Sequence, residues 1–167
     1  TLNGKAALYA IQQVFEEKAA RVPVMVSVTV TDIAGRNLSG QTPEAFYASV
    51  THMPLLSVGV NCSLGSDQMR TFLSGLADVS SHYVSCHPNA GLPDELGEYD
   101  ETPAHMAANL RGYVDSGLAN IVGSCCGSGP DHTRAIADAV AGLPPRKKPE
   151  GRGNTLLSGL ELLEVRP

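Results

Sequence analysis

Two of the four cysteines, Cys125 and Cys126, are adjacent in IVGSCCGSGPDH (121–132); the others are Cys62 and Cys86. Neighbouring Cα atoms lie about 3.8 Å apart, short of the roughly 4.4–6.8 Å of a relaxed disulfide, so the pair is not an ordinary disulfide. Cys62 ends an apolar run, LLSVGVNC, and the pair ends another, ANIVGSCC. If both runs are parallel strands lying close together, Cys62, Cys125 and Cys126 converge. Three thiols at one point suit a soft tetrahedral metal, most commonly zinc, with a fourth position left open as in catalytic sites. The residue types alone fit inert, buried cysteine equally well. Gly123 and Gly127 favour the metal, because they let the backbone bend sharply around the pair. Amides opening a helix at Pro130 could donate to thiolate sulfurs or to a bound carboxylate. Cys86 falls inside a strand pattern and reads as a small buried hydrophobe.

The elements that would position these thiols alternate along the chain. Leu8, Ile11, Val14 and Phe15 recur at helical spacing before Pro23. VMVSVTV (24–30) alternates strictly, with four valines on one face and Met25, Ser27 and Thr29 on the other. Thr42-Pro43-Glu44 is a helix start, with a capping hydroxyl, a proline at the first helical position and an acid in the first turn; this helix should reach about His52. LLSVGV (55–60) is a strand, and Ser66-Asp67 opens a helix through Met69, Phe72, Leu73 and Leu76. HYVSC (82–86) is a weaker strand; Thr102-Pro103 opens a helix stopped by Gly117, ANIVG (119–123) is the last strand, and the Pro130 helix ends at Gly142.

Repeated strand-then-helix units mean parallel strands with crossover helices. Every polar or reactive cluster follows a strand: Thr31-Asp32, Asn61-Cys62, His87 to Gly91, and Ser124 to Gly127. That is the edge where parallel α/β folds build sites. The small face at Ser27 and Thr29 suits a barrel interior, so the expected fold is α/β, a partial (β/α)8 TIM barrel. An open doubly wound sheet is second, since no Gly-rich nucleotide fingerprint follows any strand.

Composition sets the limits. A hydrophobic fraction of 43% and a charged fraction of 17% are those of a globular chain, long enough for one domain. The net charge of −5 without a basic stripe argues against nucleic acid and anionic membranes as partners. No apolar run approaches a membrane span. Free cysteines in such a chain point to a reducing, cytoplasmic setting. Thr1 leads straight into a helical pattern, which reads as a cut inside a larger protein. From Pro144 the sequence turns rich in proline, glycine and charge, so Arg146-Lys147-Lys148 reads as solvated linker and LLSGLELLEV (156–165) as the start of something further.

The motifs GVNCSLG (59–65), HPNAGLPDELGEYD (87–100) and IVGSCCGSGPDH (121–132) carry a resemblance. Together with TVTD (29–32), LSGQTPEAFY (38–47) and the tail LSGLELLEV, they resemble the zinc-dependent homocysteine S-methyltransferase family, in the form found as the homocysteine-binding domain of cobalamin-dependent methionine synthases. Ser124 departs from the pattern, standing where a second glycine is expected. The resemblance implies a (β/α)8 barrel of which this chain is the second half, helix 4 followed by units 5 to 8, over residues 1–144. Residues 145–167 would then be the linker and the start of a folate-binding domain. It implies zinc on Cys62, Cys125 and Cys126, homocysteine bound through its sulfur at the open position, and methyl transfer from methylcobalamin, held by another domain of the parent chain, to give methionine. The half alone would be inactive. His87 and Asn89 could line the substrate pocket or serve loop geometry alone, and Asn61 could orient the substrate or the site. Asp32 could meet the substrate amino group, though a turn or cap role fits it slightly better. His52, His82, His105 and His132 have no partners at ligand spacing and read as structural or solvent-facing. The competing functions are a stand-alone methyltransferase using betaine or S-methylmethionine, and a non-catalytic zinc- or thiol-binding module.

Overall fold

The computed structural model describes residues 1–31, 33–150 and 153–166. Helix α1 (Leu2–Lys18) is followed by β1 (Met25–Val28), α2 (Pro43–Val50), β2 (Ser57–Gly65), α3 (Arg70–Val79), β3 (Tyr83–Asn89), α4 (Pro103–Asp115), β4 (Ile121–Val122) and α5 (Pro130–Val140). A hairpin of β5 (Thr155–Ser158) and β6 (Leu162–Val165) closes the chain. The four strands β1 to β4 form one sheet in chain order, every pair parallel. That is the arrangement of one arc of a (β/α)8 barrel.

The period-two pattern decides which residues go where. Val28, Val60, Cys86 and Val122 are in register across the sheet, as are Val26, Val58 and Val84. These rows pack under the helices, against buried Phe46, Val50, Leu73, Leu76, Met106 and Leu110. The other face carries the rows Met25, Ser57, Tyr83 and Ser27, Gly59, Ser85, Ile121. Gly59 is required there, because a Cβ would lie 2.0 Å from the Ser85 hydroxyl. Both outer strands, β1 and β4, have one unpaired edge among the described residues, and exposed Val14, Val22 and Met25 gather at the β1 side.

Thr42 and Thr102 cap α2 and α4 through their hydroxyls, each followed by proline, as the sequence predicts. Helix α3 starts at Arg70, later than the Ser66-Asp67 expected from sequence. Ser66 gives its amide and hydroxyl to the Glu101 carboxylate, and Asp67 takes bonds from His105 and Asn109, so neither is free to cap.

The expected solvated linker is corrected by its first residue. Arg146 is 5% exposed. Its guanidinium donates to the carbonyls of Ala77, Ser80 and His82, satisfying orphan acceptors at the end of α3 and the start of β3. The hairpin lies along α2: Thr42 donates to the Leu160 carbonyl at 3.0 Å, Ser158 donates to the Ala45 carbonyl, and Arg36 pairs with Glu161. No helix among the described residues is long and apolar enough to cross a membrane.

Candidate functional site

Strand β2 runs in register with β3 as far as Asn61, then breaks and re-pairs only at Gly65 with Asn89. The residues between form a bulge in which Cys62 (φ 61°) and Ser63 (φ 63°) are left-handed without being glycine. Such strain persists only where the surroundings impose it, and it collects at functional sites. Its effect is to turn Cys62 toward the β4 turn.

That turn is held by backbone contacts to the end of β3. Cys125 donates its amide to the Pro88 carbonyl at 2.7 Å, Cys126 donates to Asn89 Oδ1 at 3.2 Å, and Ala90 donates to the Cys126 carbonyl at 2.8 Å. Gly127 (φ 75°) lets the chain leave the pair. A side chain there would lie 2.2 Å from Tyr99 Cγ, so the Tyr99 ring rests against this glycine.

The result is a cluster. Cys62 Sγ lies 3.6 Å from Cys126 Sγ, and Cys126 Sγ lies 3.9 Å from Cys125 Sγ. All three sulfurs are within 4.8 Å of one another, a spacing that could hold a metal ion, and no other group of His, Cys, Asp or Glu does this among the described residues. Cys62 and Cys125 are half-buried and Cys126 is exposed, so a ligand can approach. Burial opposes the Cys62 thiolate, but the Ser63 amide, the neighbouring thiols and the Asn89 side chain outweigh it and hold its pKa below the ordinary thiol range. Cys125 is pushed up to about 11, by burial first and then by its bonds to Cys62 and Cys126. Three thiols without a cation cannot all ionise together; a divalent ion would remove that conflict.

Cys86 stands apart, fully buried with its sulfur 3.6 Å from Met69 Sδ and its pKa pushed up to about 12 by burial. It is the packed hydrophobe expected from sequence. Asn61 accepts from the Ser27 hydroxyl at 2.5 Å on the barrel side of the sheet. His87, its register partner, packs over Gly123, where a Cβ would lie 2.7 Å from His87 Cδ2; burial lowers its pKa. Asn89 is 3% exposed and its oxygen is occupied by the Cys126 amide. Of the three, Asn89 touches the thiol segment directly, while Asn61 and His87 form the last in-register pair before Cys62. Asp32 lies outside the described residues. The Gly129 amide at the head of α5 is occupied by His132 Nδ1 at 3.2 Å, not by a thiol.

Two residues near the thiols were not singled out from sequence. Tyr99 lies in the loop after β3 with its ring against Gly127, and its pKa is raised by burial first and then by the thiols around it. Glu101, two positions on, bonds Ser66. Their only sequence signal is membership in HPNAGLPDELGEYD and its continuation, a loop without regular periodicity.

A parallel β/α arc with thiols gathered at its carboxyl edge defines a fragment of a (β/α)8 barrel whose cysteines could hold a metal. More particularly, the chain belongs to the homocysteine S-methyltransferase family, which it matches over residues 1–140. Among solved structures it is similar to the homocysteine methyltransferase MmuM from Escherichia coli. The metallated form gives a TM-score of 0.54 at 19% identity, covering 78% of this chain and 40% of that one. The apo form gives 0.54 at 19% identity, covering 79% and 45%. This chain therefore spans less than half the length of those proteins. The likeness is one of fold.

Proposed function

We propose that this chain is the zinc- and homocysteine-binding half of a homocysteine S-methyltransferase barrel, acting in a cobalamin-dependent methionine synthase. Residues 1–144 form the second half of the barrel, and residues 145–167 lead to a folate-binding domain. Homocysteine takes its methyl group from methylcobalamin, presented by another domain of the same chain, and becomes methionine in the cytoplasm. The observation that carries this is the convergence of Cys62, Cys125 and Cys126 from two strand ends. Sulfurs at the corners of a tetrahedron about 2.3 Å from a zinc ion lie roughly 3.8 Å apart. The separations of 3.6 and 3.9 Å fit that spacing.

Zinc, when bound, acts as a Lewis acid that keeps a substrate thiol ionised at neutral pH. The rest falls to the chain's own residues. Cys62, Cys125 and Cys126 would hold the ion and offset its charge. Asn61, His87 and Asn89, together with Asp32, would line the pocket and orient the amino acid. A His87 kept neutral by burial offers hydrogen bonds without adding a positive charge beside the ion.

Metal analysis of the purified chain in reducing buffer is the test, with about one zinc per chain expected, lost in Cys125→Ser and kept in Cys86→Ser. The reverse pattern would overturn the ligand set. In the intact enzyme, X-ray absorption should show a light-atom ligand replaced by sulfur when homocysteine is added; an unchanged shell would reduce the metal to a structural role.

A second reading, a free-standing methyltransferase with betaine or S-methylmethionine as donor, is favoured by the likeness to MmuM. It uses the same thiols. Assays of the intact enzyme with each donor in turn separate the two.

A further inference from the structure

The loop from Gly91 to Glu101 supplies no thiol, yet its last residue is bound to all three segments that surround the cluster. The Glu101 carboxylate accepts from the Ser66 amide at 3.2 Å and from the Ser66 hydroxyl, just beyond the strained bulge that carries Cys62. The Glu101 amide donates to the Ala90 carbonyl at 3.1 Å, and the Ala90 amide in turn holds the Cys126 carbonyl at 2.8 Å. The Glu101 carbonyl accepts from His132 Nε2 at 2.9 Å, and His132 Nδ1 takes the Gly129 amide that ends the thiol turn. Tyr99, on the same loop, lies against Gly127.

We infer that Glu101 is a positioning residue for the metal site: its carboxylate anchors the far end of the Cys62 bulge, while its backbone fixes the Cys125–Cys126 turn. The inference rests on the metal-binding reading of the thiols. The physical reason is strain. Left-handed Cys62 and Ser63 would relax toward extended backbone unless both ends of the bulge were pinned. The near end is pinned by the β2–β3 ladder up to Asn61. The far end is held by one ladder pair, Gly65 with Asn89, by the two Ser66 bonds to Glu101, and by Asn109 and Tyr113 of α4, which donate to the Ser66 hydroxyl and carbonyl. Of these, only the carboxylate takes the Ser66 amide; without it that donor is unpaired, and the bulge can shift and carry the Cys62 sulfur away from Cys126.

Cobalt(II) titration of the full chain, with affinity fixed by competition against a chelator and the thiolate-to-cobalt absorption recorded, tests this. Glu101→Ala should weaken cobalt tenfold or more and lower the charge-transfer intensity per thiol, within the 10–100-fold range of residues that orient metal ligands. Glu101→Gln, which keeps an acceptor for the Ser66 amide, should recover most of the loss, and Glu95→Ala on the same loop should change nothing. A merely structural Glu101 would lower the melting temperature of the metal-free chain but leave cobalt affinity and spectrum unmoved; that result overturns the inference. If Glu101→Ala does not fold, Ser66→Ala decides by the same readouts, with a smaller loss expected. If the unmodified chain takes no cobalt, the metal reading itself fails. The positioning claim is then decided in a Cys125→Ser background, where an arsenical that bridges neighbouring thiols should link Cys62 to Cys126 several-fold faster with Glu101 than with Glu101→Ala. Equal rates would sink it.

Discussion

The two ends of the same parallel sheet are built by opposite rules. At the carboxyl ends of β2, β3 and β4 the backbone is bent into left-handed residues, thiols face one another, and polar side chains are left within reach of solvent. At the amino ends, Arg146 is buried with its donors matched to the carbonyls of Ala77, Ser80 and His82, and Asn120 ties β3 to the Arg146 carbonyl. The first end holds groups in conflict until a ligand arrives. The second leaves nothing to a ligand. This division, with chemistry at one rim and stability at the other, is what makes (β/α)8 frameworks tolerant of changed function.

The sharpest way to break that comparison is to find that one end does the other's work. Cys62→Ser should abolish stoichiometric metal, a loss larger than the roughly 10–100-fold expected of residues that only orient the ligands. Because Cys62 is in strained backbone and only half-buried, the metal-free chain should lose little stability. Arg146→Ala should do the reverse, costing about 2–4 kcal/mol because carbonyls buried with a charged donor are left unpaired, while metal binding stays unchanged. Denaturant unfolding and metal titration on both variants give the answer. A shared loss in both would mean that the two ends are not separable.

Association is the next effect in size. Both outer strands expose an unpaired edge among the described residues, and Val14, Val22 and Met25 add apolar surface beside β1. Open parallel edges pair with whatever is available. Light scattering of residues 1–167 by themselves should show dimers or larger species, together with no methyl transfer to homocysteine. A compact monomer that makes methionine unaided would contradict both the arc reading and the need for the rest of the barrel.

Gly127→Ala tests the site end at smaller scale. The added Cβ is disfavoured at φ 75° and meets the Tyr99 ring at 2.2 Å. A loss of about 1–2 kcal/mol from the backbone alone is expected, with weaker metal binding as the ring and the thiol turn move apart. Cys86→Ser, by contrast, places a hydroxyl without a partner in the core and should cost about 1–3 kcal/mol, with the metal retained.

What could be read in advance follows from how local each cause is. The alternation of Val24, Val26, Val28 and Val30 is a property of adjacent residues, and it yields both the strand and its buried face. The thiols are legible because few residue types ligate soft metals and all three follow apolar runs. Glu101 and Arg146 are not legible, because carboxylates and guanidiniums are ordinary surface groups until tertiary structure puts three backbone segments around them. The late start of α3 has the same origin: Ser66 is a good cap by type, but Glu101, distant in sequence, takes its hydroxyl. The length of β2 has a related cause. Expected over 55–60, it runs to Gly65 through a bulge that no local propensity favours.

The smallest effect belongs to the ion pair between Asp67 and His105, 3.0 Å apart on the site rim with both side chains more than half exposed. The His105 hydrogen bond holds the Asp67 carboxyl below its ordinary pKa, with Asn109 assisting against some burial. The Asp67 hydrogen bond raises His105 above its own ordinary value. The signs are opposite, so the window is bounded on both sides. The raised histidine contributes fully below its unfolded pKa, near 6.5, and that contribution is lost as pH rises through the higher folded value. The depressed carboxylate contributes fully above its unfolded pKa, near 3.9, and that contribution is lost as pH falls through the lower folded value. The pair therefore stabilises most between about pH 4 and pH 6.5, and salt should weaken it because exposed charges are screened. Asp67→Asn, which keeps an acceptor for Asn109, should lower the urea midpoint most in that window, with the gap to the unchanged chain closing toward pH 8 and toward pH 3. A gap that stays constant with pH would show that Asp67 acts through packing or neutral hydrogen bonds, and that the site rim, like the Arg146 end, owes its order to satisfied backbone groups and not to charge.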